Sequence, residues 1–224
     1  MFRTAAALSS LLVLAACNWS DTLGGPTIKG SGILKTETRL VEKFTAISVS
    51  GSASIVIEQT GQESLELTAD DNLLPLFTSE VRDGTLILGV TDGKVSWKGK
   101  GPRFKVTVSE LKKIKVSGAG SVNATKLDSD SLTISLSGAA DGYIAGRSNN
   151  LSISISGAGS LNAFDLQTKR ATVIVSGAGD VTVNASDELD ARVSGAGDIW
   201  YVGSPRLQSR VSGAGTIKQK SITH

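Results

Sequence analysis

Two groups of side chains have the types and spacing that chemistry requires. The first is a row of acids. Asp180 and Asp198 each stand four residues past the serine of a Ser-Gly-Ala-Gly phrase, and the same position elsewhere holds Ser121, Asp141, Ser160 and Thr216. If successive phrases stack, the two carboxylates lie about 5 Å apart, near the spacing of a retaining glycosidase pair. With Arg192 or Arg210 beside them, they would make a polysaccharide lyase or glycoside hydrolase using carboxylates on adjacent coils. The competing reading is turn chemistry. Asp, Ser and Thr all hydrogen-bond local backbone in turns, which accounts for all six positions at once. Calcium-binding β-rolls also use Gly-x-Gly-x-Asp phrases, but with a shorter repeat and denser Gly and Asp, so no metal is expected.

The second group is cationic. Lys94, Lys98, Lys100, Arg103 and Lys105 fall within one stretch that contains no acid, with Trp97 and Phe104 interleaved. A ligand site formed by Lys94, Trp97, Lys98, Lys100, Arg103 and Lys105 would suit phosphate or carboxylate sugars, an anionic lipid surface or an acidic partner. The plain alternative is a solvated hairpin that its lysines keep soluble. A third candidate is a strand face carrying Thr133, Ser135, Ser152, Ser154 and Thr172, flanked by Lys113, Lys115, Arg192 and Arg210. Such a face could pack on a protein or lie along a glycan, or be polar β-formers in solvent. Trp200 and Tyr143 fall on one outward row, where they could stack on sugar rings, or Trp200 could pack beside the aliphatic part of Lys218 one coil on.

Other chemistries are excluded by composition. The only histidine is the terminal His224, so the body of the chain has no Ser-His-Asp triad, His general base or His-ligated metal. A net charge of +2 is too small to imply nucleic acid as a partner. No cofactor is expected. The single cysteine, Cys17, follows Leu14-Ala15-Ala16 at the end of a short apolar run that begins after Arg3. That run suits a signal peptide and is too short to span a bilayer. Its end resembles the bacterial lipobox, which implies cleavage before Cys17 and acyl chains on its thiol and new amino group. Acyl chains in this number anchor a protein firmly. Asn18, where Asp commonly retains lipoproteins at the inner membrane, favours the outer membrane. Residues 1–16 are therefore expected to be a lipoprotein signal peptide, and 17–28, with Gly24-Gly25-Pro26, a flexible tether. Three Asn-x-Ser/Thr sequons, at Asn123, Asn150 and Asn184, read as chance.

The elements that must position these groups follow from a repeat. Ser-Gly-Ala-Gly opens at Ser117, Ser137, Ser156, Ser176, Ser194 and Ser212, with Ala140 closing the second copy; the intervals are 20, 19, 20, 18 and 18 residues. A fixed period means one supersecondary unit stacked on copies of itself. Before each phrase apolar residues alternate, as in Leu151, Ile153 and Ile155 or Ala171, Val173 and Val175. After it a shorter alternation begins, as in Val181 and Val183. Strand, Gly corner and strand, at about 19 residues per lap, predict an all-β solenoid with ladder hydrogen bonds between laps. The Ala in mid-phrase is expected to face a crowded corner, where a larger side chain would collide. From 29 to 110 the repeat blurs into irregular coils that cap one end; 111–218 carries the regular repeats. Asp83-Gly84 reads as a hairpin turn, and the segment from Asp70 to Pro75 as a break. At the far end Lys218 and Lys220 discourage further strand addition.

Gly30-Ser31-Gly32, the run from Phe44 to Gly51, the Asp70–Leu74 segment and the serial Val-Ser-Gly-Ala-Gly-Asp phrases together resemble the GIN-domain family, also labelled "putative autotransporter adhesin head domain". The likeness covers roughly residues 29–218 and is closest at Leu189–Asp198. It implies a right-handed, pectate-lyase-like parallel β-helix. The chain departs from the family in using Ala between the glycines and in placing Gly142 at an inward position.

The reading that results is a non-enzymatic, lipid-anchored β-solenoid of the cell envelope, on either face of the outer membrane, with a domain over 29–224. Adhesion, glycan binding or scaffolding is the expected role. Envelope glycans or proteins, the membrane through its anchor, and further copies of the chain are the expected partners. The anchor is directly testable: Cys17→Ser is expected to move the protein from the membrane pellet to the soluble fraction. A mutant that still pellets would place the anchor elsewhere.

Overall fold

The computed structural model describes residues 27–91 and 96–221. The described chain is all-β, with one short 3-10 turn at Leu74–Leu76. Its strands are β1 (Thr27–Lys29), β2 (Leu34–Arg39), β3 (Ala46–Gln59), β4 (Ser64–Asp70), β5 (Phe77–Arg82), β6 (Thr85–Val90), β7 (Ser96–Lys98), β8 (Arg103–Val108), β9 (Lys113–Gly157), β10 (Leu161–Gly177), β11 (Val181–Gly195), β12 (Ile199–Val202), β13 (Arg206–Gly213) and β14 (Ile217–Gln219). All but β1 and β7 join one mixed sheet, ordered β14-β12-β11-β10-β9-β3-β8-β4-β2, with β13 beside β11 and β5–β6 beside β3.

The repeat stacks in register. Ser156, Ser176, Ser194 and Ser212 are successive partners in parallel ladders, and Ser50 is the partner of Ser117 below them. The phrase-like Ser50-Gly51-Ser52-Ala53 is thus the bottom rung of the same pile. Alternation sets the core. Leu151, Ile153, Ile155 and their partners Ala171, Val173, Val175 and Leu189, Ala191, Val193 are all buried, and the residues between them face outward. Gly142 faces inward as expected, since a Cβ there would meet Leu161 Cδ1 at 2.4 Å.

The corner is where the glycines are indispensable. The first phrase glycines form a column, and Gly157, Gly177 and Gly195 sit at φ of 133°, 127° and 136°, which L side chains rarely adopt. A Cβ on each would lie 2.2, 2.4 and 2.2 Å from the carbonyl oxygen of the glycine one rung below. The second phrase glycines Gly159, Gly179 and Gly197 are buried, and a Cβ on Gly197 would lie 2.1 Å from Gly179 O and 2.9 Å from Val175 Cγ1. The alanines between them do not face a crowded corner. Ala119, Ala139, Ala158, Ala178, Ala196 and Ala214 are all exposed. The alternation breaks at the positive-φ glycine: Ser176, Gly177 and Ala178 are exposed in succession, and burial resumes at Gly179.

The N-terminal stretch differs from the irregular coils expected there. β3 does stack on β9 in parallel, and β6 and β8 cover its other side in parallel. Beyond them the pairing turns antiparallel: β5 with β6, β4 with β8, and β2 with β4. Only β5 and β6 form a hairpin, closed by Asp83 (φ 49°) and Gly84 (φ 69°); the other antiparallel pairs join strands distant in sequence. At the opposite end β13 is exposed throughout, including Val211 at a core position.

The two columns generate a contrast. Gly197→Ala is expected to overpack the buried corner and cost about 1–3 kcal/mol. That is a drop of roughly 2–4 °C in melting temperature per kcal/mol for a domain of this size. Ala178→Leu projects into solvent and is expected to stay within about 0.5 kcal/mol of wild type. Thermal melts of the two variants check this; equal losses would put both columns in the same environment.

Candidate functional site

The acid row is committed to holding rungs together. Asp180 Oδ1 accepts the Asp198 backbone N–H at 2.9 Å. Asp198 Oδ1 in turn accepts the Thr216 N–H at 2.7 Å and its hydroxyl at 2.8 Å. Asp141 Oδ1 accepts the Ser160 N–H at 3.0 Å. Each carboxylate thus serves the next rung, where turn chemistry would have it serve its own corner. Arg192 pairs with Asp190 at 2.7 Å on its own strand and is not directed to the row.

The cationic stretch is divided by the fold. Cys17 and Lys94 lie outside the described residues. Trp97 is half-buried, edge-on to Phe77 with ring centroids 5.2 Å apart, so it serves the core. Phe104 is buried in β8. Arg103 and Lys105 are exposed on the same strand, and Lys105 faces Glu66 across the ladder at 4.0 Å. Lys98 and Lys100 alone remain together, exposed beside a cavity of about 410 Å³ that Lys29 and Asp70 also line. Sequence reading missed those last two, which come from distant segments.

Tyr143 and Trp200 do share a column, through Asn162 and Thr182, with Lys218 next. Both are half-buried and occupied. The Tyr143 hydroxyl donates to Asp165 at 2.7 Å, and that bond to a carboxylate raises its pKa. The Lys218 ammonium lies 5.7 Å from the Trp200 ring centre, a cation–π contact.

A polar concavity crosses the rungs on the Ser/Thr face. It encloses about 620 Å³. One wall is the column six residues before each phrase: Ser131, Asn150, Arg170, Glu188 and Arg206, with Asn150, Arg170, Glu188 and Arg206 successive ladder partners. Arg170 Nε donates to Asn150 Oδ1 at 2.9 Å, Asn150 Nδ2 donates to the Asp130 carbonyl at 3.2 Å, and Arg206 pairs with Glu188. The other wall is Thr133, Ser152, Thr172, Asp190 and Gln208. Ser152, Thr172 and Thr133 were legible as an outward face. The charged wall was not singled out, although its constant offset from the phrase was a signal. A second concavity of about 610 Å³ lies on another face, where Arg147 pairs with Asp128 at 2.8 Å and Asn149 bonds Asp130 at 2.9 Å. Beneath it Ser129, Ser148 and Thr168 are buried, each hydroxyl donating to a backbone carbonyl. Among the described residues no helix is long and apolar enough to cross a membrane.

Three solved structures place this architecture. A putative adhesin from Bacteroides fragilis is similar over 86% of this chain and all of its own, at 26% identity and a TM-score of 0.71. A putative adhesin from Parabacteroides distasonis matches over 87% of this chain and all of its own, at 22% identity and a TM-score of 0.57. A putative lipid binding protein from the same species covers 88% of this chain and all of its own, at 23% identity and a TM-score of 0.54. The last two, at such identities, share the fold alone. No match is found among curated proteins. Residues 43–205, from the start of β3 through the last full rungs, match the family described as "Putative auto-transporter adhesin, head GIN domain", and the chain belongs to that family.

Proposed function

We propose that this chain is a non-enzymatic adhesion module of the cell envelope, a right-handed β-solenoid held to the outer membrane by lipid on Cys17, that binds a glycan strand along its polar trough. The observation that carries this reading is the wall from Ser131 to Arg206. It repeats a hydrogen-bonding side chain once per rung, at the strand spacing of about 4.8 Å, a step close to one pyranose unit. Its members are held by their neighbours, so a ligand meets donors and acceptors already oriented. Stability does not account for them. The Arg206 and Glu188 side chains are 75% and 47% exposed, and a surface pair of that kind contributes about 1 kcal/mol or less. The family's adhesin description supports the same role. Asp180 and Asp198 each accept a backbone N–H of the next rung through Oδ1, which supports a structural role for that row.

A glycan array with the purified protein is expected to give saccharide binding that the Arg170→Ala/Arg206→Ala double variant weakens at least tenfold without changing the melting temperature. Pectin, alginate and peptidoglycan are expected to remain uncleaved. Equal binding by variant and wild type would remove the trough from the function, and cleavage abolished by Asp180→Asn and Asp198→Asn would make the protein an enzyme.

A further inference from the structure

We propose a second ligand site, at the capped end of the fold, that takes an acidic sugar: its anionic group between Lys29, Lys98 and Lys100, and a hydroxyl donating to Asp70. The site is built from three distant segments that the backbone ties together. Ser31 N–H donates to Asn72 Oδ1 at 2.9 Å and the Ser31 hydroxyl to Asp71 Oδ1 at 2.5 Å. Asn72 Nδ2 donates to the Lys29 carbonyl at 2.8 Å, and Gly30 N–H to the Lys98 carbonyl at 2.7 Å. Between the segments lies the cavity of about 410 Å³.

Two features of this cavity match a ligand that both carries a negative charge and donates hydrogen bonds. The first is Asp70. It is 3% exposed, yet among the described residues no hydrogen bond or ion pair engages its carboxylate. Gly30 and Gly99 close around it, since a Cβ on either would lie 1.8 or 2.7 Å from Asp70 Oδ2. The carboxylate lines the cavity, where a ligand hydroxyl can reach it. The second is the lysine pair. Lys29 and Lys98 are direct partners in the parallel ladder of β1 and β7, so two ammonium groups leave the strands side by side. Ile28 and Trp97, one position earlier, pack on the core, which turns both lysines to the open face. None of Lys29, Lys98 and Lys100 has an ion-pair partner among the described residues, and none reaches within 4.0 Å of Asp70. Three cations beside one acid repel a metal ion. The acid in turn disfavours a bare phosphate, which carries little to donate. A uronate satisfies both halves, because its carboxylate answers the lysines and its ring hydroxyls supply the donor that Asp70 lacks.

This site is separate from the trough, and neither proposal rests on the other. The test is calorimetric titration of the purified protein with oligogalacturonate, with a neutral galactan oligomer of equal length and with inorganic phosphate. The acidic oligomer is expected to bind and the neutral one not. Lys98→Ala/Lys100→Ala, which alters exposed side chains only, is expected to weaken binding at least tenfold. Asp70→Asn is expected to weaken the uronate but to leave phosphate unchanged or tighter. Arg170→Ala/Arg206→Ala is expected to have no effect here, which separates this site from the trough. A melting scan accompanies each variant; if Asp70→Asn does not fold, the double lysine variant decides. Equal uronate affinity in wild type and the double lysine variant overturns the proposal. So does capture of anionic phospholipid vesicles without uronate binding, which would make the cluster a membrane contact.

Discussion

Backbone contact between glycines sets the geometry of the whole pile. At each corner the chain passes so close to the rung below that the carbonyl oxygen of one glycine occupies the space where the next would carry a Cβ. Only Gly meets that requirement together with a positive φ. The column from Gly51 through Gly118, Gly138, Gly157, Gly177, Gly195 and Gly213 therefore fixes where every rung turns. Once the corners are aligned, the flanking strands fall into register, and a slip of one residue would turn each apolar set outward.

Register in turn decides what the surface offers. Residues at one offset from the phrase become vertical columns, so a single position repeated along the sequence becomes a continuous strip. The Asp and Thr strip past the corner is used up in holding the next rung's backbone. In the strip from Ser131 to Arg206 only Asn150 reaches a backbone group, and the rest is held by neighbouring side chains. The same stacking thus produces a structural column and a recognition column a few residues apart. The difference lies in which side chains have a backbone donor within reach.

The cap follows different physics. A pile of parallel rungs would end in an open ladder edge; β6 and β8 cover it in parallel, and β5, β4 and β2 then pair antiparallel beyond them. Folding back brings residues 29–32, 70–72 and 98–100 together without any repeat to relate them. This is where unlike charges gather at one cavity: a carboxylate closed in by two glycines, and lysines paired with lysines. The regular rungs bury only side chains whose hydrogen bonds are met, as with Ser129, Ser148 and Thr168.

How much was legible in the sequence follows from range. The repeat from Ser117 to Ser212, the alternation beside it, the family and the polar Ser/Thr face all depend on residues a few positions apart, where period alone assigns each side chain to a face. The Asp83-Gly84 turn is equally local. The facing of the mid-phrase alanines was not legible, because the crowding at the corner comes from the rung below and falls on the glycines, leaving Ala178 in solvent. Nor was the division of the cationic stretch. Trp97 is drawn inward by Phe77, Lys105 meets Glu66 from β4, and Lys98 and Lys100 meet Lys29 and Asp70 from two other segments. Those partners are set by pairing between strands tens of residues apart, parallel for β1 with β7 and antiparallel for β4 with β8, which no local spacing encodes. By itself the sequence determined a stacked, all-β member of its family; only the tertiary structure decided which charges stand together, because charge pairing depends on distance in space and not along the chain.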